Sequence, residues 1–273
     1  MSEQRLDVAL VARGLARSRT AAARAVAAGD VRVGGTVVTR PAARVPDGAL
    51  LELVPARHVS RAGAKLDAAL DAFEVDPAGR LALDIGASTG GFTAVLLERG
   101  ARRVVALDVG HDQLVPELRR DPRVVVVEGE NARALTAGRL TELAGDPEPP
   151  SLVVADLSFI SLTHVLPAIA AVLAPEGDAV CLVKPQYEVG REHVRGGLVP
   201  DAADRADAVQ RVLAAAWSLG LGTAGVLGSP VVGTHGNREA LVHLRPALGS
   251  DPEGWAQQVR TATAGVEGGS RGR

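Results

Sequence analysis

Leu81-Ala82-Leu83-Asp84-Ile85-Gly86-Ala87-Ser88-Thr89-Gly90-Gly91-Phe92 decides the fold. A short apolar run carries an acid near its end, turns through glycines and gives way to helical composition. This is the first turn of a βαβ unit. Glycines at 86, 90 and 91 let the backbone turn sharply and approach a ligand closely. The loop falls at the carboxyl end of the first strand, where open α/β sheets bind ligands. Its spacing is not the G-x-G-x-x-G of a dinucleotide site.

Downstream the pattern repeats. Val104–Leu107, Val124–Val127, Leu152–Ala155 and Ala179–Val183 are short and rich in Val and Leu, each followed by a helical segment or a turn. Such runs suit parallel strands buried on both faces. Val226–Leu227 and Ala240–Leu244 offer two more strands. The second strand ends in Asp108, placed to accept hydrogen bonds from the ribose hydroxyls of a nucleoside. Glu128-Gly129-Glu130-Asn131 follows the third, placed to meet a base edge. The fourth ends in Asp156, the fifth in Lys184, and Glu239 opens the last.

Lysine usage is selective: 28 arginines stand against two lysines, Lys65 and Lys184. Arginine stays protonated, whereas a desolvated lysine can lose its proton and act as a base. Strand ends at one sheet edge converge, so Lys184 and Asp156 are expected to be neighbours. Lys65 opens a helix just before the sheet begins.

Upstream, residues 5–55 read as a separate unit. Helices are expected over Arg5–Arg13 and Ser18–Ala28, with Ser18 as N-cap and Gly29 as terminator. Val31–Val33 and Thr36–Val38 flank Gly34-Gly35 as a hairpin, and Ala49–Val54 is a further strand. Residues 1–65 hold eleven Lys and Arg against five Asp and Glu, while the remainder is acidic. A basic head on an acidic body points to nucleic acid. Arg13, Arg17, Arg19, Arg24, Arg32 and Arg61 are the candidates to contact it.

Bulk composition excludes other classes. The 47% of hydrophobic residues supports a full core. A single cysteine, Cys181, allows no intramolecular disulfide or thiolate zinc cluster, and no metal is expected. No run approaches the roughly 18 apolar residues of a membrane span, and the N-terminus lacks a signal-peptide layout, so the cytoplasm is expected. The sequence carries no signal for oligomeric state.

The acid, glycine loop and second acid resemble the class I methyltransferase fold. Lys65, Asp156, Lys184 and Glu239 are similar in order and context to the Lys-Asp-Lys-Glu tetrad of the FtsJ-type 2′-O-ribose methyltransferases. Val59-Ser-Arg61-Ala-Gly-Ala-Lys65-Leu66, Leu83–Phe92, Ala106–Leu114 and Ala155-Asp156-Leu-Ser-Phe-Ile-Ser161 resemble the TlyA family more narrowly. Gly14–Arg19 and Gly29–Gly35 resemble the S4 RNA-binding pattern, with Gly34-Gly35 where Asn-Gly is common.

The resemblance implies a class I (Rossmann-like) α/β domain with a mostly parallel seven-stranded sheet, preceded by a small α+β S4-like domain. The expected boundaries are 1–55 for the S4-like domain, 56–61 for a linker, 62–248 for the methyltransferase domain and 249–273 for a fraying tail. It implies S-adenosylmethionine as cofactor, held by Asp84, residues 86–92, Asp108 and Asn131. Ribosomal RNA in ribosomal subunits is the implied partner, with cytidine the implied target. Gln186–Gly197 is expected to be a mobile loop over the site. Asp156-Leu-Ser-Phe159 lacks the prolines of an N-methyltransferase, and Cys181 lies in an apolar strand rather than a nucleophile's setting. The alternatives are an RNA-binding or ribosome assembly factor without catalysis, and a haemolysin-like pore former.

Overall fold

The computed structural model describes residues 3–53, 60–233, 236–246 and 248–264. They fall into two compact units, Met1–Arg61 and Ala62–Arg273.

The smaller unit contains β1 (Glu3–Arg5), α1 (Leu6–Ala12), α2 (Arg19–Ala28), β2 (Val31–Val33), β3 (Thr36–Val37), β4 (Arg44–Pro46) and β5 (Leu51–Leu53). Leu6 and Leu10 of α1 pack with Ala22 and Val26 of α2 and with Val31, Val45 and Leu51. The Ser18 hydroxyl accepts from the Ala21 N–H at 3.2 Å, and Gly29 ends α2 in the left-handed region. Gly34 and Gly35 have φ of 56° and 81°. Both central residues of the β2–β3 turn are therefore left-handed, which glycine adopts without steric cost. The antiparallel pairing of β1 with β4 was not expected. Each is three residues long and they come from opposite ends of the unit, so neither shows a strand period of its own.

The larger unit follows as α3 (Arg61–Ala72), β6 (Leu81–Ile85), α4 (Gly91–Glu98), β7 (Arg103–Asp108), α5 (Pro116–Arg119), β8 (Val124–Glu128), α6 (Ala137–Ala144), β9 (Leu152–Ala155), α7 (Leu166–Val172), β10 (Asp178–Val183), α8 (Pro185–Glu188), α9 (Ala202–Ser218), β11 (Leu221–Gly228), β12 (Ala240–Pro246) and α10 (Ala256–Thr263). Seven strands make one sheet in the order β11-β12-β10-β9-β6-β7-β8. β12 runs antiparallel to β10 and β11, and the remaining pairs are parallel.

Side-chain alternation divides the core between two faces. Leu81, Leu83 and Ile85 of β6 meet Leu140 of α6, Ile169 of α7 and Val212 of α9. Ala82 meets Leu66 and Leu70 of α3 and Leu96 of α4 on the other side. With both faces covered, β6, β9 and β10 are buried throughout, which is why they read as continuous apolar runs. From β6 the chain steps outward to β7 and β8, then returns to β9 on the other side. The connections diverge between β6 and β9, opening a crevice at their carboxyl ends.

The region from Gly249, expected to fray, is structured as far as Ala264. Ser250 bridges to Thr223, a 3-10 turn spans Pro252–Trp255, and α10 buries Val259 and Thr263. Composition rich in Gly, Ser, Thr and Arg hid this short helix, whose stability comes from its docking. Residues 265–273 of the expected tail lie outside the described residues, as do 54–59, which hold most of the expected linker.

Arg205 of α9 is buried and donates from Nε to the Thr263 carbonyl at 3.0 Å. Its Nη1 donates to the carbonyls of Val199 at 2.9 Å and Pro200 at 2.8 Å. It thus satisfies an end carbonyl of α10 and two carbonyls of the loop before α9. Arg205→Ala leaves three acceptors short of a partner and is expected to cost roughly 2–4 kcal/mol. Urea unfolding of the full chain measures this.

Candidate active site

A cavity of about 530 Å³ opens at the carboxyl edge of the sheet. Its wall includes Gly86 and Ser88 after β6, Asp108 ending β7, Asn131 after β8, and Asp156–Ile160 after β9. Gly86 has a φ of 83°, and a Cβ there would lie 2.6 Å from the Asp156 carbonyl oxygen. The exits of β6 and β9 therefore cross at a distance only glycine permits.

Asp108 accepts from the backbone N–H groups of Ser88 at 2.8 Å and Gly110 at 2.7 Å. Both oxygens are thereby fixed, each with a lone pair to spare for a hydroxyl donor. The Asn131 Oδ1 accepts from the Arg133 N–H at 3.1 Å and caps the 3-10 turn Ala132–Ala134. Its amide NH₂ is left as a donor to the cavity.

Not every expected cofactor residue reaches the wall. Asp84 is fully buried beneath the loop, with Oδ2 accepting from Thr93 Oγ1 at 2.6 Å. Its Oδ1 is enclosed without a hydrogen-bond partner among the described residues. Burial pushes its carboxyl up to about 7, against the downward pull of the Thr93 bond. Ala87, Gly91 and Phe92 are buried, and Gly90 caps the start of α4. Thr89 is exposed but outside the wall. Val109, Gln113, Leu157 and Ile160 line the cavity and were not singled out from sequence. Each follows a strand end already recognised, but which loop residues face inward depends on turn geometry.

A second cavity of about 390 Å³ is lined by Lys184, Gln186, Tyr187, Asn237 and Glu239, and shares Ser158 and Phe159 with the first. Phe159 has a φ of 65° and is 90% exposed, its ring 5.5 Å from that of Tyr187. Glu188 braces the loop beneath them, accepting from Ser161 Oγ at 2.5 Å and the Leu162 N–H at 2.8 Å.

The four expected tetrad residues form two ion pairs. Lys184 Nζ lies 2.6 Å from Asp156 Oδ1, while Lys65 is paired with Glu239. Glu239 lines the second cavity, but Lys65 is buried behind it and reaches neither wall. Glu239 offsets the charge of Lys65 at contact. Cys181 is fully buried and its thiol is pushed up to about 12 by desolvation, which leaves no thiolate to act as nucleophile.

Gln186–Gly197 has local order. It contains α8, a 3-10 turn at Arg191–His193, and an Arg195–Leu198 bridge. Asn237 ties it to the approach to β12, donating to the Gly197 carbonyl at 2.6 Å and accepting from the Val199 N–H at 3.3 Å.

In the smaller unit Arg13, Arg17, Arg19 and Arg32 are exposed. Arg13 is braced on the carbonyls of Asp47 and Ala49, Arg32 donates to the Gly35 carbonyl, and Arg19 pairs with Asp7 at 3.2 Å. Arg24 lies in α2, with its side chain outside the described residues. Arg61 is half-buried at the start of α3.

A seven-stranded sheet with one antiparallel strand, a glycine crossing at its switch point and an acid ending the neighbouring strand define a class I methyltransferase. Residues 58–246 match the FtsJ-like methyltransferase family and residues 4–51 the S4 domain. The chain belongs to the FtsJ-like methyltransferase family. It is 49% identical over 249 residues to the Mycobacterium tuberculosis 16S/23S rRNA (cytidine-2′-O)-methyltransferase TlyA, covering 88% of this chain and 89% of the relative. It is 40% identical to Hemolysin A of Brachyspira hyodysenteriae, covering 88% of this chain and 99% of that protein. A solved Streptococcus thermophilus protein bearing a hemolysin label superposes with a TM-score of 0.74 at 39% identity, covering 96% of both chains.

The buried Asp84 gives a pH signature. Its folded-state pKa is raised, so its contribution to stability is complete below about pH 4 and is lost as pH rises through about 7. Asp84→Asn cannot ionise. Its Tm relative to the wild type is therefore expected to climb between these values and level off above them. Thermal melts of the cofactor-free protein across pH measure the gap, and a gap independent of pH contradicts the assignment.

Proposed function

We propose that this chain is an S-adenosylmethionine-dependent methyltransferase that modifies the ribose 2′-oxygen of ribosomal RNA, at cytidine, in the cytoplasm. The observation that carries this reading is the meeting of two cavities at Ser158 and Phe159, with the Lys184–Asp156 pair at their junction. The rRNA and cytidine components rest on the TlyA relative and on the S4 domain.

The first cavity suits an adenosine. Of the carboxylates that line it, Glu130 is paired with Arg139 and Asp156 with Lys184, while Asp108 is held by backbone N–H groups. Asp108 would take the ribose hydroxyls and Asn131 the base edge. S-adenosylmethionine supplies, when bound, a methyl group already activated toward an oxygen nucleophile.

The chain's part is alignment and proton handling. Phe159 and Tyr187 offer an aromatic wall to the target base. Lys184 faces the second cavity, where it holds the 2′-oxygen and takes its proton or balances its developing charge. Asp156 keeps the amine in place, and Glu239, itself anchored by Lys65, closes the far wall. Some relatives carry hemolysin names; among the described residues no helix is long and apolar enough to cross a membrane.

Lys184→Arg keeps the charge but cannot act as a base. It is expected to lower kcat about 100-fold or more while retaining S-adenosylmethionine binding. Methyl transfer to purified ribosomal subunits, with ribose methylation mapped by position, tests both the assignment and the target. Wild-type turnover by this variant contradicts the role of Lys184.

The exposed arginines of the S4 unit are expected to contact phosphates. Arg17→Ala and Arg32→Ala should each weaken RNA binding and reduce the slope of log K against log salt by about 1. Filter binding over a salt series measures this, and an unchanged slope removes that arginine from the interface.

A further inference from the structure

We infer that Ser158 is a positioning residue for the methyl-transfer step: its hydroxyl aims the Lys184 amine at the acceptor oxygen. The inference rests on the reading of Lys184 given under the proposed function. It starts from the amine's hydrogen-bond inventory. Lys184 Nζ donates to Ser158 Oγ at 2.9 Å. Asp156 Oδ1 is closer, at 2.6 Å, yet it approaches off the hydrogen-bond direction and has no aligned partner among the described residues. Asp156 therefore supplies attraction, and Ser158 supplies direction.

Direction matters because the terminal nitrogen has three positions beyond Cε. Ser158 occupies one. Asp156 attracts the amine without lying along either of the other two, so the amine keeps a position for the second cavity, whose wall includes Lys184. An ammonium would present a proton there and a neutral amine its lone pair, so the aim is the same in both forms. The other charged groups near this cavity are Glu239 on the approach to β12 and, behind it, Lys65 of α3.

The loop holds Ser158 firmly enough for this task. Asp156 is fixed against Gly86, whose missing Cβ lets the two backbones cross. Phe159 takes a left-handed conformation directly after Ser158, and Glu188 braces Ser161 and Leu162 beyond it. A non-glycine residue keeps such a conformation when its surroundings over-determine it. The reversal lets residues 156 and 158 both address one amine. Ser158 is exposed and lines both cavities, so its hydroxyl is not needed for core packing.

The test uses the full chain, S-adenosylmethionine and purified ribosomal subunits. Ser158→Ala is expected to lower kcat about 10- to 100-fold, as a misaimed group does, with KM for the subunits and Kd for S-adenosylmethionine within about twofold of wild type. Ser158→Thr, which keeps the hydroxyl, should recover most of the rate. Wild-type kcat in Ser158→Ala overturns the inference. So does a loss matched by weaker S-adenosylmethionine binding, or a threonine variant no better than alanine. Lys184→Arg run alongside separates the two readings. If it is inactive while Ser158→Ala is normal, only the role of Ser158 falls, whereas if it is fully active the base assignment falls first.

Discussion

The site depends on one close crossing, where the backbone of Gly86 passes beneath the carbonyl of Asp156. A single methyl group at residue 86 would lie 2.6 Å from that oxygen. Because the crossing joins the exits of β6 and β9, it fixes two things at once. It shapes the turn that borders the first cavity, and it sets the height at which Asp156, Ser158 and Phe159 leave the sheet. The parallel pairing of β6 with β9 brings the two exits side by side, and glycine lets them close.

The charges around this crossing are arranged in neutral pairs. Lys184 with Asp156, and Lys65 with Glu239, let two amines and two carboxylates sit at one sheet edge without an uncompensated buried charge. An unpaired charge buried to the degree of Lys65 would cost several kcal/mol. The pairing also divides the work. Glu239 and Lys184 face the second cavity, while Lys65 is a counter-charge behind the wall. Asp84 stands apart, shielded beneath the loop and bonded to Thr93, and belongs to the support of the turn rather than its surface.

The fold was largely legible because buried parallel strands announce themselves. β6, β9 and β10 are covered on both faces, so their apolar runs are unbroken and their ends are marked by acids or Lys184. Elements stabilised by distant partners were not legible. β1 and β4 exist through each other, and α10 through its packing on the rest of the unit and the grip of Arg205 on Thr263. The site was legible to the same depth. Gly86, Asp108, Asp156 and Lys184 sit at strand ends, where sequence order maps onto a sheet edge.

The sequence by itself determined the class of sheet, the strand ends that carry chemistry and the rarity of lysine that marks two of them, since hydrophobic period and residue type are local properties. Only the tertiary structure decided which of those residues touch. It moved Asp84 and Phe92 out of the cavity wall, turned Lys65 toward Glu239, and brought Ser158 into line with Lys184. Side-chain direction in a loop depends on backbone reversals such as the left-handed Phe159. Those reversals are set by contacts between segments far apart in the chain, which no local pattern records.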